Sequence, residues 1–442
     1  MLYHAYELSH AAVAPWRQAA EYQKRLYQSP YNPLSYTWAG RSAVAAFDLF
    51  ETLTRRYAKP EWDLQRTLIN AYPVTVRTQV VWRKPFCELL HFHRDRQEMA
   101  LARPSERADP RVLLVAPLSG HYATLLRSTV EAFLPDHEVF VTSWADAREV
   151  PIADGRFDLN DYIEYVREMI QVVGPQAHVV GICQPGPPVL AAVALMSEDR
   201  DPALPATMTF MGSPIDPRES PTLPNKVALE RSYGWFKDNA IYSVPWPNKG
   251  FMRRVYPGFL QLGGFISMNR GRHFLAHKEY FEHLIEGDCD SVQKHREFYD
   301  EYLAVMDLTE EFYLQTIRDV FQEFKLPKGE FYHYGRRVQP QKIQEVALMT
   351  VEGERDDISG IGQTQAAHKL CSGIPEKDKV DYIQPGVGHY GVFSGTRFRT
   401  EIQPRMRHFM RAYFDPKQEL AYQRSVQIYA TGNEALHLPS KA

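Results

Sequence analysis

One cysteine, Cys183, stands between an apolar run and a segment rich in small residues. The surrounding sequence, AHVVGIC followed by QPGPPVLAAVALMS, predicts a strand that turns directly into a helix. Such a turn exposes a nucleophile at the carboxyl edge of a sheet, and it needs small neighbours. Gly181 lies two residues before the cysteine, whereas Pro185 occupies the usual position of a second glycine and Gly186 follows it. The alternative is a structural thiol, because free cysteine is often buried.

Two further groups with catalytic chemistry follow Cys183 in chain order. The predicted strand VALMTV runs into EGERDDI, which contains Asp356 and Asp357, and the predicted strand VDYIQ runs into PGVGHYG, which contains His389. Nucleophile, acid and histidine in this order, each after a strand, indicate an α/β-hydrolase triad. Asp356 is preferred over Asp357 because it fits a Gly-x-x-Asp-x-Ile pattern. Either acid could instead cap a helix, and His389 could simply pack in a loop.

The predicted roles follow from thiol chemistry. His389 takes the proton of the Cys183 thiol and later activates water, while Asp356 fixes the tautomer of the imidazole. Two backbone donors must stabilise the oxyanion. We expect one at Gln184, directly after the nucleophile, and the other near Ser119, in the loop after the first parallel strand.

Substrate-binding side chains are expected beside these residues. His121, Tyr122 and Tyr390 flank the predicted site and could donate hydrogen bonds, although each could equally serve loop packing. Aromatic residues, which make up 12% of the chain, are denser between residues 218 and 340. Most of these rings are expected in a core and some at the site; they include Tyr233, Trp235, Phe236, Trp246, Phe251, Tyr256, Phe259 and Phe265.

The elements that position these residues alternate along the chain. RVLLV, EVFVTSW, HVVGI, TMTFM, VALMTV and VDYIQ read as strands separated by helical segments, which predicts a mainly parallel sheet with helices on both faces. We predict an N-terminal helical extension over 1–105, an α/β-hydrolase core over 106–217 and 341–415, a cap insertion over 218–340 and a C-terminal tail over 416–442.

Composition excludes several classes of protein. The chain has 442 residues, of which 44% are hydrophobic and 24% charged, and a formal charge of −3, so it can form a large core and has no basic footprint for nucleic acid. It shows neither a secretory signal nor a membrane span, which predicts a cytoplasmic protein. Its four cysteines have no metal-site spacing, and no metal or cofactor is predicted.

Several of these stretches resemble the intracellular poly(3-hydroxybutyrate) depolymerases, which use cysteine in place of serine. The resemblance is carried by GICQPGPPVLAA, TVEGERDDISGIGQTQAAH and QPGVGHYGVFSGTRFR. YNPLSYTWAGRSAVAAFDLFETLTRRYAKPEW and APLSGHYATLLRSTVEAFLPDHEVFVTSWADAREVP are similar too, so it spans nearly the whole chain.

The resemblance implies hydrolysis of stored polyester to 3-hydroxybutyrate oligomers and monomer at the surface of cytoplasmic granules. One alternative is a polyhydroxyalkanoate synthase-like acyltransferase, which typically keeps Gly-x-Cys-x-Gly, a pattern that Pro185 breaks. Another is a non-catalytic granule-binding protein. The acyl acceptor, water or coenzyme A, stays open, as does the oligomeric state, with a homo-oligomer among the alternatives.

Overall fold

The protein is described by a computed structural model over residues 2–103 and 108–423. Fourteen strands occur in these residues: β1 Arg66–Ile69, β2 Tyr72–Lys84, β3 Cys87–Arg94, β4 Arg111–Val115, β5 Glu138–Trp144, β6 His178–Ile182, β7 Thr207–Met211, β8 Tyr242–Ser243, β9 Arg254–Tyr256, β10 Leu308–Thr309, β11 Tyr332–His333, β12 Arg336–Arg337, β13 Ala347–Gly353 and β14 Lys379–Gln384.

Sixteen α-helices, joined by short 3₁₀ and π segments, precede residue 413 in the described residues. They are α1 Leu2–Gln28, α2 Trp38–Thr54, α3 Arg96–Ala102, α4 Arg127–Phe133, α5 Leu159–Val173, α6 Gly186–Asp199, α7 Leu223–Glu230, α8 Tyr233–Ala240, α9 Gly258–Met268, α10 Arg270–Glu286, α11 Cys289–Tyr302, α12 Glu310–Thr316, α13 Lys325–Lys328, α14 Ala366–Leu370, α15 Gly395–Arg397 and α16 Gln403–Ala412.

A nine-stranded sheet is the centre of the fold. Its strand order is β1-β2-β3-β5-β4-β6-β7-β13-β14. The six strands β5, β4, β6, β7, β13 and β14 are parallel to one another. The strands β1, β2 and β3 pair antiparallel, and β3 joins β5 in antiparallel orientation. The six strands predicted from the alternating pattern all occur, so the predicted α/β-hydrolase-like class is confirmed.

The central parallel strands are buried on both faces because helices cover them. Every residue of β4, β6 and β7 is buried. The helix α6, which follows Cys183, is buried from Gly186 to Met196 and carries almost no charge over that length. The neighbouring helix α5 is amphipathic and begins at a capping box formed by Asp158 and Asp161. The nucleophile turn is therefore held inside the rigid core.

The prediction of a helical extension over 1–105 is wrong for its second half. Residues 2–54 form α1 and α2 with a short 3₁₀ turn, but residues 66–94 form β1, β2 and β3. The register of β3 against β5 runs from Cys87 opposite Trp144 to Phe92 opposite Val139. Because β3 alternates buried and partly exposed residues, its pattern was that of a strand. This part of the chain extends the central sheet.

The interval between β7 and β13 and the end of the chain complete the architecture. β7 and β13 are adjacent and parallel although more than 130 residues separate them in sequence, and that interval holds helices α7 to α13.

The prediction of a C-terminal tail over 416–442 is wrong for residues 416–423. This segment is helical, and an ion pair of 2.7 Å between Arg111 and the buried Glu419 anchors it. Residues 424–442 lie outside the described residues.

The described helices include none with the length and hydropathy needed to cross a membrane.

Candidate active site

Cys183 occupies the sharp turn between β6 and α6. Its backbone φ is +67°, in the left-handed region that non-glycine residues seldom adopt. Its N–H donates to the carbonyl oxygen of Met211 at 2.8 Å, and its own carbonyl accepts from the N–H of Gly186 at 3.2 Å. These bonds to β7 and α6 hold the strained residue in place, which is typical of a functional position.

The structure explains why the glycine after the cysteine stands one residue late. A Cβ on Gly186 would lie 2.4 Å from Cβ of Ser213, so only glycine lets α6 start this close to the end of β7. Pro185 sits just before the helix with φ −59° and ψ −16°, which proline tolerates. Gly181 is also close-packed, with Phe210 at 3.3 Å from its would-be Cβ. The small residues lie where the backbone approaches are closest.

Asp356 and His389 form a buried pair. The Nδ1 atom of His389 lies 2.8 Å from Oδ2 of Asp356, and both side chains are almost fully removed from solvent. The other oxygen of Asp356 accepts from the N–H groups of Ile358 at 2.9 Å and Ser359 at 2.8 Å. Asp357 instead faces the exterior and accepts from Asn269 at 3.3 Å.

Cys183 is the second group that acts on the charge of His389. Burial disfavours a charged ring and acts to lower the pKa of His389. The interactions of the ring with Asp356 and with Cys183 raise this pKa, and the outcome is a pKa well above the ordinary 6.5. A histidine between a carboxyl group and a thiol is the arrangement that thiol-based acyl transfer needs.

Two residues that the sequence did not single out shape this pair. Gly212, directly after β7, has φ +52°, and a Cβ there would meet Asp356 and His389 at 3.2 Å. Glu352, at the end of β13, is fully buried and accepts from the N–H groups of Gly362, Thr364 and Gln365. Glu352 thereby fixes the loop that follows Asp356. The sequence offered one signal for Gly212, which is a glycine directly after a predicted strand.

Backbone donors suited to an oxyanion lie beside Cys183. Within the described residues, the backbone N–H groups of Gln184 and Ser119 donate to no protein acceptor. The side chain of Gln184 accepts from the N–H of Leu118 at 3.3 Å and so ties the loop after β4 to the nucleophile turn. Both predicted donors therefore lie in segments that contact one another.

A cavity of about 440 Å³ opens above these residues. Its floor includes Cys183, Gln184, Ser119 and His389, and most of its wall comes from the interval between β7 and β13. That wall is apolar and aromatic; it includes Leu223, Val227, Phe236, Tyr256, Phe265, Met268, Phe312, Tyr313, Ile317 and Phe321. An apolar chamber with few polar groups at its floor suits an uncharged, flexible ligand.

The three predicted substrate-binding side chains differ in position. Tyr390 lines the cavity, and burial raises the pKa of its hydroxyl, which therefore stays a neutral donor. His121 also lines it, but its Nε2 lies 3.0 Å from the carbonyl oxygen of Tyr302, and burial lowers its pKa to about 4. Tyr122 is buried outside the cavity wall, and its hydroxyl donates to Asp146 at 3.3 Å. The structure does not bring Tyr122 to the site.

Gln261 on α9 is a lining residue that the sequence did not single out. Its buried Oε1 atom has no hydrogen-bond partner in the described part of the chain. It lies 2.8 Å from the position of a Cβ on Gly120, whose φ is +101°. Gly120 therefore leaves room for the side-chain amide of Gln261 beside the loop that contains Ser119.

The aromatic residues named for the cap divide between three environments. Phe236, Tyr256 and Phe265 line the cavity. Phe259 stacks on Tyr6 of α1 with ring centroids 4.1 Å apart. The remaining four rings are 38% or more exposed: Tyr233, Trp235, Trp246 and Phe251.

In the described residues, one group of side chains has metal-ligand geometry. Potential ligand atoms of His91, His93 and Glu138 lie within 4.8 Å of one another. Glu138 already accepts from Arg94 at 2.6 Å, and His91 lies 3.0 Å from it, so the cluster is satisfied as an ion-pair network between β3 and β5.

Comparison with known proteins relates part of the chain to a family. Residues 212–414 match the family described as PHB de-polymerase C-terminus. That part of the chain is similar to the PHB depolymerase-type α/β-hydrolases. The matched region contains Asp356 and His389 and begins after Cys183, and it supports ester hydrolase activity. No curated protein shows a significant sequence match to the chain.

Solved structures with a similar fold include three ester hydrolases. A soluble variant of monoglyceride lipase from Saccharomyces cerevisiae is 14% identical, covers 78% of this chain and 99% of its own, and has a TM-score of 0.45. A monoacylglycerol lipase from Paleococcus ferrophilus is 13% identical over 70% of this chain and 97% of its own, with a TM-score of 0.39. A thermophilic esterase from Thermogutta terrifontis is 12% identical, covers 79% of this chain and 100% of its own, and has a TM-score of 0.38.

Proposed function

We propose that this ester hydrolase uses Cys183 as its nucleophile, with His389 as proton carrier and Asp356 as the group that orients it. The observation that carries the proposal is the position of His389, which is hydrogen-bonded to Asp356 and lines the floor of an apolar cavity together with Cys183. A left-handed cysteine between a strand and a helix supports it, because that turn presents a nucleophile to the cavity.

Acylation begins when the thiolate of Cys183 attacks the carbonyl carbon of the ester. The carbonyl oxygen becomes an oxyanion, which the N–H of Gln184 and a donor near Ser119 stabilise. As the tetrahedral intermediate collapses, its C–O bond breaks and His389 gives its proton to the leaving alcohol. A thioester on Cys183 remains, and His389 is neutral.

Deacylation uses the change in charge at sulfur. The thioester carries no negative charge, so one of the two groups that raise the pKa of His389 is lost, and burial then favours the neutral ring. Neutral His389 takes a proton from water, which attacks the thioester carbonyl. The C–S bond breaks, the acid is released, and the thiolate of Cys183 again faces the imidazolium. Asp356 holds the same tautomer throughout.

We infer that the substrate is an amorphous polyester of the poly(3-hydroxybutyrate) class. The match to the PHB de-polymerase C-terminus supports this class, and the chamber suits an uncharged chain with short side groups. In this proposal residues 106–217 and 341–415 form the catalytic core, residues 218–340 cap it, and residues 1–105 extend it. The enzyme would act in the cytoplasm at the surface of polyester granules.

Incubation with native amorphous polyester granules tests the proposal. We expect soluble 3-hydroxybutyrate or its oligomers, identified by mass spectrometry, and the loss of at least several hundredfold in rate for Cys183→Ala and for His389→Ala. Cys289→Ala, at an exposed cysteine on α11, is the matched control and should keep the wild-type rate.

Two results would contradict the proposal. A Cys183→Ala protein that hydrolyses at a near-normal rate removes the cysteine as nucleophile. Hydrolysis of small soluble esters without any release from the polymer leaves the triad in place and removes the polyester as substrate. Parallel reactions with coenzyme A distinguish water from a thiol as the acyl acceptor, because transfer to coenzyme A would yield an acyl-coenzyme A product.

A further inference from the structure

The long N-terminal helix α1 leaves many apolar residues on its outer face. In its 27 residues only Tyr3 and Ala20 are buried. Its inner face combines aromatic and polar contacts: Tyr6 stacks on Phe259, Tyr3 donates to Asp307 at 2.6 Å, and Lys24 pairs with Asp48 at 2.9 Å. The outer face of a surface helix in a globular protein is usually polar. The apolar residues on the outer face of α1 therefore need an explanation.

Seven of the outward apolar residues of α1 follow a heptad, whereas the exposed Leu2 and Trp16 lie beside it. Their spacing alternates between three and four residues from position 5 to position 26. All seven are exposed; we name them the α1 seam, and they are Ala5, Leu8, Ala12, Pro15, Ala19, Tyr22 and Leu26. Leu8 is 70% exposed, Tyr22 63% and Leu26 44%. An alternation of three and four residues is the period with which one helix packs against another.

The composition of the α1 seam indicates what covers it. None of its seven residues is charged. Positions 4, 9, 11, 16, 18, 23 and 25 flank the seam on the helix surface, and among them only His4 and Arg25 can carry a charge. Alanine at positions 5, 12 and 19 projects little area for insertion into a flat apolar surface. It does let another helix backbone approach closely, while Leu8 and Tyr22 can insert as knobs. A helix is the complement that this stripe fits.

We propose that α1 pairs with α1 of a second copy of this chain to form a two-fold symmetric dimer. A two-fold contact requires a surface that is complementary to itself, and an uncharged stripe of alternating small and large residues meets that condition without repulsion. The helix is about 40 Å long and about 10 Å wide, so such a contact buries on the order of 1,000 Å² in total. Specific interfaces begin near that size.

This dimer is independent of the catalytic proposal because the α1 seam contains no residue of the cavity wall. Sedimentation velocity on the wild-type chain over a concentration series is the first measurement. We expect a species of twice the 51.0-kDa chain mass. In Leu8→Glu/Leu26→Glu the dissociation constant should rise at least about a hundredfold, because two charges would be buried in the seam. Circular dichroism checks that the variant keeps its helices.

Leu101→Glu is the matched control, since Leu101 on α3 is 66% exposed and lies outside the seam. It should leave the dimer unchanged. A wild-type chain that stays monomeric at high concentration overturns the proposal, as does a seam variant that dimerises as well as the wild type. A monomer that sediments with amorphous polyester granules, and loses this binding in the seam variant but not in Leu101→Glu, would assign the seam to the polymer surface and equally overturn the dimer.

Discussion

At the scale of single residues, the site depends on the groups that surround the buried ring of His389. His389 lies between Asp356 and Cys183 and is 4% exposed, so its protonation is set by these two neighbours and by burial. Burial alone would keep the ring neutral. The two negative groups reverse that preference, which makes the charge state of His389 sensitive to a change in either neighbour.

Asp356→Asn should shift the pH dependence of ester hydrolysis. In the proposed mechanism acylation needs the imidazolium of His389, so kcat/KM falls as pH rises through the pKa of His389. Because Asp356 raises that pKa, its removal should move the alkaline limb of kcat/KM to lower pH, by at least about one pH unit. Rates on a soluble butyrate ester between pH 5 and pH 10 measure this. Asp357→Asn, whose carboxylate faces Asn269, should leave the limb in place; an equal shift in both variants would contradict the assignment.

At the scale of elements, the nucleophile turn depends on how closely α6 approaches β7. The contact between Gly186 and Ser213 is the tightest point, at 2.4 Å from a would-be Cβ. That distance is shorter than any contact between non-bonded carbon atoms in proteins. Either the helix must move or the neighbouring side chain must disappear.

Gly186→Ala should therefore lower both activity and stability, with a cost of about 1 to 3 kcal/mol in the free energy of unfolding. Ser213→Gly in the same chain removes the clashing Cβ and should restore much of both losses. Gly271→Ala on α10, where nothing lies within 4 Å of the new Cβ, is the control and should not destabilise. Denaturant unfolding and hydrolysis rates test this, and an absence of any rescue by Ser213→Gly would show that the contact is not the cause.

A second junction joins α1, α9 and the core through Asp307. Its carboxylate accepts from Tyr3 at 2.6 Å and from the N–H of Gly258 at 2.9 Å, and its own N–H donates to Asp146 at 3.0 Å. Burial, together with the negative Asp146, raises the pKa of Asp307 to about 7, although Tyr3, Gly258 and Arg148 act to lower it. The folded protein therefore holds a proton at Asp307 that the unfolded chain releases.

Thermal stability should consequently fall as pH rises from about 4 to about 7. A carboxyl with a folded-state pKa raised above its unfolded value stabilises the fold below the unfolded pKa and loses this contribution as pH passes the folded value. In Asp307→Asn the drop in Tm between pH 4.5 and pH 7.5 should be smaller than in the wild type by at least about 3 °C. Asp238→Asn on the exposed part of α8 is the control, and identical pH profiles for wild type and Asp307→Asn would contradict the role of this carboxyl.

At the scale of the whole molecule, the proposed binding of a polyester relies on the cavity beneath the interval between β7 and β13. Its chamber is bounded by aromatic and aliphatic side chains from several helices. Burial of the methyl and methylene groups of a polyester there contributes about 25 cal/mol per Å² before ordering costs. A chain already free in an amorphous phase can enter, whereas a chain in a crystal must first be extracted.

Initial rates on three polymers should therefore differ. We expect the fastest hydrolysis with amorphous short-side-chain polyester, and much slower hydrolysis with the same polymer after solvent crystallisation. A medium-side-chain polymer should also be slow, because overfilling a packed pocket costs about 1 to 3 kcal/mol. Release of acid at equal rates from all three would contradict selection by the cavity while leaving the nucleophile untouched.

The sequence by itself determined the elements of the parallel sheet and the order of Cys183, Asp356 and His389 along it. These are local properties: a buried strand is an apolar run, and a turn after it needs small or polar residues. The antiparallel strands over residues 66–94 were missed, although β3 has the alternating pattern of a strand. Their pairing with β5 is a contact between segments distant in sequence, which no local pattern specifies.

The tertiary structure alone decided why glycine stands at 186 and that Gly212 leaves room for the pair of Asp356 and His389. Each depends on distances between β7, β13 and the loops beyond them, and such distances arise only when strands remote in sequence become neighbours. It also decided that Tyr122 donates to Asp146 and that Leu8, Tyr22 and Leu26 of α1 stay exposed, because burial is a property of the packed chain and not of the residue type.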